Sequence, residues 1–421
     1  MSFGLRDKIF KDEFLKNNLI FFVGSMIVAV LNYLYHPILS RLMSVQDFGE
    51  VQTLMALFLQ FAILFRVFSV ITINISANGE SKEEKSAIIS ELREIAIYIV
   101  GGMFLLIIIF SKNLQGFFQF DSFYPFISLA VLLVLGVFLS FRNAILQGYN
   151  DFKSASIAGI IGSFFRLFFA VLLVIIGWRA FGAITGLVLS QLLGLGYMYL
   201  KTKDKIDFKQ KLPVHLKKEK IKRELKYGGL VFLVAVVSIL LYTADILFVK
   251  HYFSPTDAGF YSGIATIARI VIFISGSVSA VLLPSIKLKN NANENRNILK
   301  KASMIILIVS GFTLLIFSLF PNLVIKIFIG SKFMEFAYLL PRIGLVAFCV
   351  SLITLFSNYF LALRDFSLAI IAGIGITLIF GLSLLNHATL MAVVNNFLIS
   401  SIVILAMLVC KLVKSNSSSV T

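Results

Sequence analysis

Residues Asp151–Ile160 read DFKSASIAGI, and residues Asp365–Ile374, 214 positions later, read DFSLAIIAGI. Each copy stands at the start of a long apolar run. A second pair lies further upstream in each half of the chain: Ser44–Gly49 is SVQDFG and Ser254–Gly259, 210 positions later, is SPTDAG. This pair shares the frame Ser-x-x-Asp-x-Gly. Two matches at nearly the same offset indicate that the chain contains an internal repeat.

The apolar runs around these matches recur along the whole chain. The 421 residues are 59% hydrophobic and only 14% charged, with a mean hydropathy of +0.94, whereas soluble domains are about 45–50% apolar and about 25% charged. A helix needs about 20 apolar residues to cross a membrane, and an unpaired backbone is too costly there for most other structures. The sequence therefore predicts an all-α polytopic membrane protein of about twelve spans. They lie near 19–39, 51–75, 94–111, 125–148, 156–177, 182–200, 227–249, 259–285, 301–320, 337–361, 367–385 and 389–410.

Basic residues predict the orientation of these spans, because Lys and Arg resist translocation. With the N-terminus inside, 27 of the 38 Lys and Arg fall in inner connections and six in outer ones. Both termini are thus expected in the cytoplasm. Eleven basic residues lie in Lys201–Lys226, which we interpret as a solvated linker held by anionic headgroups rather than as a partner-binding site. The predicted organisation is an N-terminal six-helix lobe (1–200), a basic cytoplasmic linker (201–226), a C-terminal six-helix lobe (227–411) and a polar cytoplasmic tail (412–421).

The number of spans in each half determines the symmetry of the repeat. Six is even, so both halves enter the membrane in the same orientation, and the repeat is parallel. Parallel repeats of this kind form transporters in which two lobes surround a central cavity. For the repeated residues themselves we favour structural roles, with Asp47 and Asp257 capping helices while Gly49 and Gly259 permit tight turns.

Ionisable residues inside spans are costly and usually line a cavity or a pathway. Arg66 and Arg166 lie near the middle of their spans, too deep for their side chains to reach the headgroups easily. Arg269 shares a helix face with two hydroxyl residues, and Arg142 and Arg342 lie within about two turns of a span end, where reaching the surface is an equally good explanation. Cations therefore outnumber anions in the spans.

Two polar stripes lie on the first span of each half. Asn32 and His36 share a face of the first span, and Tyr242 and Asp245 share a face of the seventh. The matching positions suggest that both stripes face the interface between the lobes. A hydrogen bond between neighbouring helices would explain any single one of these residues equally well.

The chemistry of these residues favours an anionic ligand. Arginine stays charged when poorly solvated, and its planar donors fit phosphate and carboxylate groups. A cation exporter would be expected to carry deep carboxylates instead. The sequence has no Walker, HExxH or GxSxG motif and only four histidines, and its two cysteines form no CxxC pair. We therefore expect no catalytic residue, no metal and no cofactor, and the distribution of basic residues in loops argues against nucleic acid as a partner.

These features together resemble a known family. The residues that carry the resemblance are a Lys-rich start, the segment Pro37–Gly49 with its Ser44-x-x-Asp47-Phe48-Gly49, and Leu146-Gln147-Gly148 before Asp151-Phe152. They are similar to the polysaccharide repeat-unit exporters, the O-antigen and capsule flippases of the multidrug/oligosaccharidyl-lipid/polysaccharide exporter superfamily. The likeness covers nearly the whole chain, but its motifs are diffuse and transfer no site residue.

The resemblance implies a protein of the bacterial inner membrane that moves an undecaprenyl-pyrophosphate-linked oligosaccharide between leaflets by alternating access. The expected partners are this lipid-linked anionic oligosaccharide, membrane lipid, a coupling ion such as H+ or Na+, and polysaccharide assembly proteins. A multidrug exporter of the same superfamily is the alternative closest in fold. A membrane-embedded glycan transferase is the alternative from another class, although the outer connections offer little room for a catalytic domain. A lipid II flippase is less expected, because such proteins usually have additional C-terminal spans.

Overall fold

The computed structural model describes residues 13–79, 81–210, 214–282, 286, 292–363 and 365–417, and all the regular elements among them are helices. Ten of these helices are long and apolar enough to cross a membrane, and a bent pair, Val45–Phe61 with Ile63–Asn78, adds an eleventh span. One of the ten covers 51 residues, Phe152–Thr202, and is interrupted at Gly177 and Arg179, whose φ angles are positive. The two parts pack side by side, with Gly186 of the second part against Ala170 of the first, so the chain reverses there and the described residues contain twelve spans.

The chain divides into two compact units. The first comprises Met1–Met43 and Leu64–Gly228. A short π-helical stretch precedes its last helix. Its helices are α1 (Glu13–Leu42), α3 (Ile63–Asn78), α4 (Lys82–Ile109), α5 (Ser111–Phe117), α6 (Tyr124–Gly148), α7 (Phe152–Leu173) and α8 (Arg179–Thr202).

The second unit comprises Ser44–Ile63 and Gly229–Thr421. A 3-10 helix, Ser331–Leu339, directly precedes the helix Leu340–Ala362. Its helices are α2 (Val45–Phe61), α9 (Val214–Tyr252), α10 (Pro255–Ala268), α11 (Ile270–Leu282), α12 (Ala292–Leu319), α13 (Pro321–Phe328), α14 (Leu340–Ala362), α15 (Leu368–Leu385) and α16 (Leu390–Ser417).

The units differ from the predicted lobes in one place. The segment Ser44–Ile63 groups with the second unit although it precedes most of the first in sequence. The reason is a close helix crossing between α2 and α10. A Cβ added to Gly49 would lie 2.6 Å from the Cα of Gly259, and one added to Gly259 would lie 2.2 Å from the carbonyl oxygen of Val45. Both repeated glycines therefore serve this contact, and neither has the positive φ of a tight turn.

The same repeat also starts two helices in the same way, but the N-caps are the serines Ser44 and Ser254 and not the predicted aspartates. The Ser44 hydroxyl accepts a hydrogen bond from the backbone N–H of Asp47 at 3.0 Å and donates one to its carboxylate at 2.7 Å. Ser254 makes both bonds with Asp257, at 3.1 and 2.7 Å. Because the first N–H groups of a helix have no partner inside it, these side chains define where α2 and α10 begin. The repeat seen in sequence is thus a repeat of structure.

The second repeated match also has one geometry in both units. Asp151 accepts from the N–H of Ser154 at the start of α7 and pairs with Lys205 at 3.1 Å. Asp365, just before α15, pairs with Lys411 at 2.6 Å. In each half of the chain, the aspartate before the fifth span thus pairs with a lysine near the end of the sixth span. Lys205 follows α8, and Lys411 lies in the last turns of α16.

The predicted linker 201–226 is structured over most of its described length. Residues 203–210 lie against α4 and α6 of the first unit, where the N–H of Asp207 donates to the Ser86 hydroxyl at 3.1 Å and the Ile206 side chain is 2% exposed. From Val214 onward the chain is already helical, in α9. Ile206 is therefore buried against the unit, which a solvated linker does not predict, whereas Lys203, Asp204, Lys209 and Gln210 are exposed.

Small residues bring the membrane helices together. Lipid is as apolar as Leu, so helices in a bilayer associate by close packing rather than by leaving water. In the first unit a Cβ added to Gly186 of α8 would lie 2.5 Å from the backbone nitrogen of Ala170 in α7. This contact holds α7 against α8 and fixes the turn at Gly177 between them.

Candidate functional site

A polar cluster inside the first unit joins α1 to α7. The Arg166 guanidinium donates to the side-chain oxygen of Asn32 at 3.3 Å and lies over the Tyr35 ring, 4.2 Å from its centroid. Tyr35 is fully buried, and its hydroxyl points to the carbonyl oxygen of Ala183 at 3.4 Å. Asn32, predicted from its place on the first span, therefore holds the arginine predicted from its depth in the fifth.

The charge of Arg166 is not neutralised by this cluster. Its partners are an amide and an aromatic ring, and among the described residues no carboxylate pairs with it. The Nε atom of Arg166 is buried without a hydrogen-bond partner. A cation in a span costs about 2.5–3.5 kcal/mol or more, and an unmet buried donor costs about 1–3 kcal/mol. The Arg166 side chain is thus held in place while its Nε–H remains available to donate a hydrogen bond.

His36 and Arg66 are two further predicted residues of this unit. His36 packs its ring edge-on against Tyr35, with centroids 5.5 Å apart. Arg66 lies on α3, four residues after the break between α2 and α3, and its side chain is exposed on the protein surface. No hydrogen bond or ion pair joins Arg66 to another residue in the described ranges. It is therefore a second unpaired cation in a span.

The second unit holds a different cluster, in which the cation is paired. Arg269 lies at the break between α10 and α11 and binds the Asp245 carboxylate at 2.8 Å, with both side chains about 90% buried. The Tyr261 hydroxyl donates to the other oxygen of Asp245 at 3.0 Å. The Arg269 guanidinium carbon also lies over the Tyr242 ring, 4.8 Å from the ring centroid. Asp245, Arg269 and Tyr242, all predicted, thus form one contiguous group.

Two arginines of the spans lie elsewhere. Arg142 donates to the Thr202 hydroxyl at 2.5 Å and packs over the rings of Tyr199 and Phe208 near the end of α8. Arg342 is exposed and donates to the side chain of Asn395. The structure does not bring Arg142 together with Arg166, and its contacts are those of a side chain that reaches the membrane surface.

Tyr35 and Tyr261 belong to these clusters but were not predicted from the sequence. Tyr35 lies one helical turn after Asn32, so the polar face that identified Asn32 and His36 could have included it. Tyr261 lies 16 residues after Asp245 on another helix, and no local pattern links the two. Among the residues described, no group of three or more metal-ligating side chains could hold a metal ion.

Comparisons with known proteins agree with this architecture. A family model described as "Polysaccharide biosynthesis protein" matches residues 38–338, which is more than two thirds of the chain. No curated protein matches the sequence.

Several solved structures share the fold over nearly their whole length. An inward-facing MATE-family multidrug resistance transporter of the MOP superfamily has a TM-score of 0.71 at 14% identity, with 93% of this chain and 96% of that chain covered. The lipid II flippase MurJ, in an inward closed conformation, also gives 0.71, at 16% identity over 94% and 87%. A MOP-superfamily transporter from Pyrococcus furiosus, described as having reverse polarity of its binding pocket, gives 0.58 at 13% identity over 94% and 93%.

The relatives named here are transporters and flippases rather than enzymes, and the low identities limit what they show to the fold. The predictions of a multi-pass helical membrane protein, of a polysaccharide biosynthesis family and of the fold of the exporter superfamily are confirmed. This chain belongs to the polysaccharide biosynthesis protein family and has the fold of the MOP-superfamily transporters.

Proposed function

We propose that this chain flips an undecaprenyl-pyrophosphate-linked oligosaccharide repeat unit from the inner to the outer leaflet of a bacterial cytoplasmic membrane, by alternating access, for surface polysaccharide biosynthesis. The observation that carries the proposal is Arg166, a span arginine held by neutral partners with an unmet donor. A fixed, unpaired guanidinium favours an anion such as a diphosphate. Arg66 adds a second unpaired cation, which is exposed rather than held by neighbouring side chains.

Several parts of this proposal rest on the family and on charge distribution. The basic connections support cytoplasmic termini. Membership of a polysaccharide biosynthesis family supports a saccharide cargo, and the likeness to MurJ supports a lipid carrier. A coupling ion and polysaccharide assembly proteins are further expected partners. In this scheme Arg66, Arg166 and Asn32 contact the anionic part of the cargo.

The direct test is genetic complementation in a polysaccharide-producing bacterium that lacks its own flippase. The wild-type chain should restore surface polysaccharide and clear the lipid-linked saccharide that accumulates in the inner leaflet. Arg166→Ala and Arg66→Ala should each abolish this while membrane protein levels stay normal. Arg179→Gln, which changes an exposed arginine paired with Asp121, is the matched control and should keep full activity. Normal polysaccharide in both Arg→Ala variants would refute the assignment.

The alternatives make different predictions in the same strains. A multidrug exporter of this fold would lower the accumulation of cationic dyes and leave the lipid-linked saccharide in place. A glycan transferase would join saccharides when the purified protein is supplied with a lipid-linked substrate. We expect neither dye efflux nor new glycosidic bonds.

A further inference from the structure

A pocket lies at one end of the first unit, outside the polar clusters described above. It has a volume of about 360 Å³, and its walls come from three separate segments: the start of α4, the turn after α6 and the residues that follow α8. All three segments adjoin the ends of membrane-spanning helices. The lining residues are Ser81, Lys82, Lys85, Tyr149, Asp204 and Lys205.

Two of the three lysines are fixed around one aromatic ring. The ammonium groups of Lys85 and Lys205 lie 5.3 and 5.4 Å from the centroid of Tyr149. Lys85 also donates to the carbonyl oxygen of Ser76 at 3.0 Å, and the Tyr149 hydroxyl donates to the carbonyl oxygen of Lys205 at 3.2 Å. The positions of these charges are thus set by the fold, although each lysine keeps N–H groups for another acceptor.

The third lysine adds an exposed charge to the pocket lining. Lys82 directly follows Ser81, the residue that caps α4, and its side chain is exposed with no hydrogen bond or ion pair to another described residue. Three ammonium groups therefore surround the pocket, that of Lys205 being also paired with Asp151 at 3.1 Å, and Asp204 contributes one carboxylate. Lysine ammonium groups bind phosphate as compact charges. The carboxylate can accept a hydrogen bond from a hydroxyl attached to the same ligand.

We propose that this pocket binds the phosphate of a lipid headgroup that also carries hydroxyl groups. Its position at the ends of three membrane segments places it where headgroups lie. A bulk anionic phospholipid such as phosphatidylglycerol has both groups, and a polyprenyl diphosphate offers the phosphate without the hydroxyl. The proposal does not depend on which cargo the protein transports, because the pocket shares no residue with the clusters around Arg166 and Arg269.

The test measures lipid binding to the purified full chain by native mass spectrometry in detergent. Three probes are used: phosphatidylglycerol, phosphatidylcholine and undecaprenyl diphosphate. The variant is Lys82→Gln with Lys85→Gln. The control is Lys153→Gln with Lys300→Gln, which removes two exposed lysines that do not line the pocket. If the pocket double variant does not fold, Lys82→Gln alone replaces it, because Lys82 has no contact to lose.

We expect the wild type to bind phosphatidylglycerol or undecaprenyl diphosphate in preference to phosphatidylcholine. The Kd of that probe should rise roughly 10-fold or more in the pocket variant and less than about 2-fold in the control. Loss confined to phosphatidylglycerol identifies a structural phospholipid site, and loss confined to undecaprenyl diphosphate identifies a site for the polyprenyl carrier. Equal losses in the two double variants, or none in the pocket variant, would overturn the proposal. Flipping activity is measured separately, so this outcome does not bear on the roles of Arg66 and Arg166.

Discussion

The two units share their scaffold contacts but not their charges within the membrane. Each unit ties an aspartate before its fifth span to a lysine near the end of its sixth. Their internal clusters differ: Arg166 rests on an amide and an aromatic ring, whereas Arg269 is bound to a buried carboxylate that also accepts from Tyr261. The repeat thus accounts for the shared aspartate–lysine contacts. The difference between the two polar clusters must have another cause.

That cause is best understood from the cost of a buried charge. The charge of a paired cation such as Arg269 is neutralised by its carboxylate partner, and the pair strengthens the contacts between α9, α10 and α11. An unpaired cation such as Arg166 lowers the stability of the fold unless an anionic ligand binds to it. We therefore interpret Arg269 as mainly stabilising and propose Arg166 as mainly a binding residue, although both were predicted from the sequence to line a cavity.

The largest expected effect is the loss of one partner of the buried pair. Asp245→Asn leaves Arg269 unpaired inside the second unit and should destabilise the protein by about 3–5 kcal/mol. Adding Arg269→Gln removes the orphaned charge and should recover a large part of this loss. The measurement is the free energy of unfolding of the purified protein in mixed micelles.

The matched control for this prediction is an exposed pair of the same chemistry. Arg179 and Asp121 lie 3.3 Å apart with side chains 67% and 51% exposed. Asp121→Asn should therefore change stability by less than about 1 kcal/mol. Equal effects at Asp245 and Asp121 would show that the buried pair carries no special weight, and the contrast between the clusters would fail.

A smaller effect is expected at the crossing of α2 and α10. Gly49→Ala places a methyl group where the Cα of Gly259 lies 2.6 Å away, and neither backbone can move without shifting its helix. We expect a loss of about 1–3 kcal/mol. Gly373→Ala is the control, since nothing lies within 4 Å of an added Cβ there. Unchanged unfolding of Gly49→Ala would mean that the two helices do not approach as closely as described.

Much of this architecture could be predicted from the sequence, because apolar run length and the Ser-x-x-Asp-x-Gly frame depend on local physics. Helix capping requires only residues three positions apart, so Ser44 and Asp47 could be recognised. The grouping of Ser44–Ile63 with the second unit could not, because it depends on a contact between glycines 210 positions apart. For the same reason the sequence could place Arg269 within a span. It could not predict that Asp245, 24 positions away, neutralises the charge of Arg269.

The first unit should respond to loss of its cation differently from the second. Arg166→Gln removes a cation–π contact worth about 0.5–2 kcal/mol but also removes the cost of a charge in the span. These effects oppose each other, so the free energy of unfolding should change by less than about 1 kcal/mol while flipping is lost. A destabilisation as large as that of Asp245→Asn would reveal a carboxylate partner for Arg166 and reverse the assignment.

The smallest expected effect tests the part of the comparison in which the units agree. Burial raises the pKa of Asp151, but hydrogen bonds from Ser154 and Lys205 and the charge of that lysine outweigh it, so the net pKa lies below 3.8. The pKa of Asp365 is likewise lowered, because bonds from Lys411 and Ser367 outweigh its burial. A lowered carboxyl pKa adds stability above pH 3.8 that disappears as the pH falls through the folded-state value.

Lys205→Gln and Lys411→Gln should therefore each cost about 0.5–1 kcal/mol at pH 7, as expected of partly exposed ion pairs. Below pH 3.8 the difference between each variant and the wild type should shrink, because the carboxylates become protonated in both. The measurement is the free energy of unfolding across this pH range. Equal losses in the two variants would support a shared scaffold. A loss in only one variant would show that the two copies of the second repeated match differ in their contribution to stability. Sequence similarity between the halves would then not imply equivalent energetics.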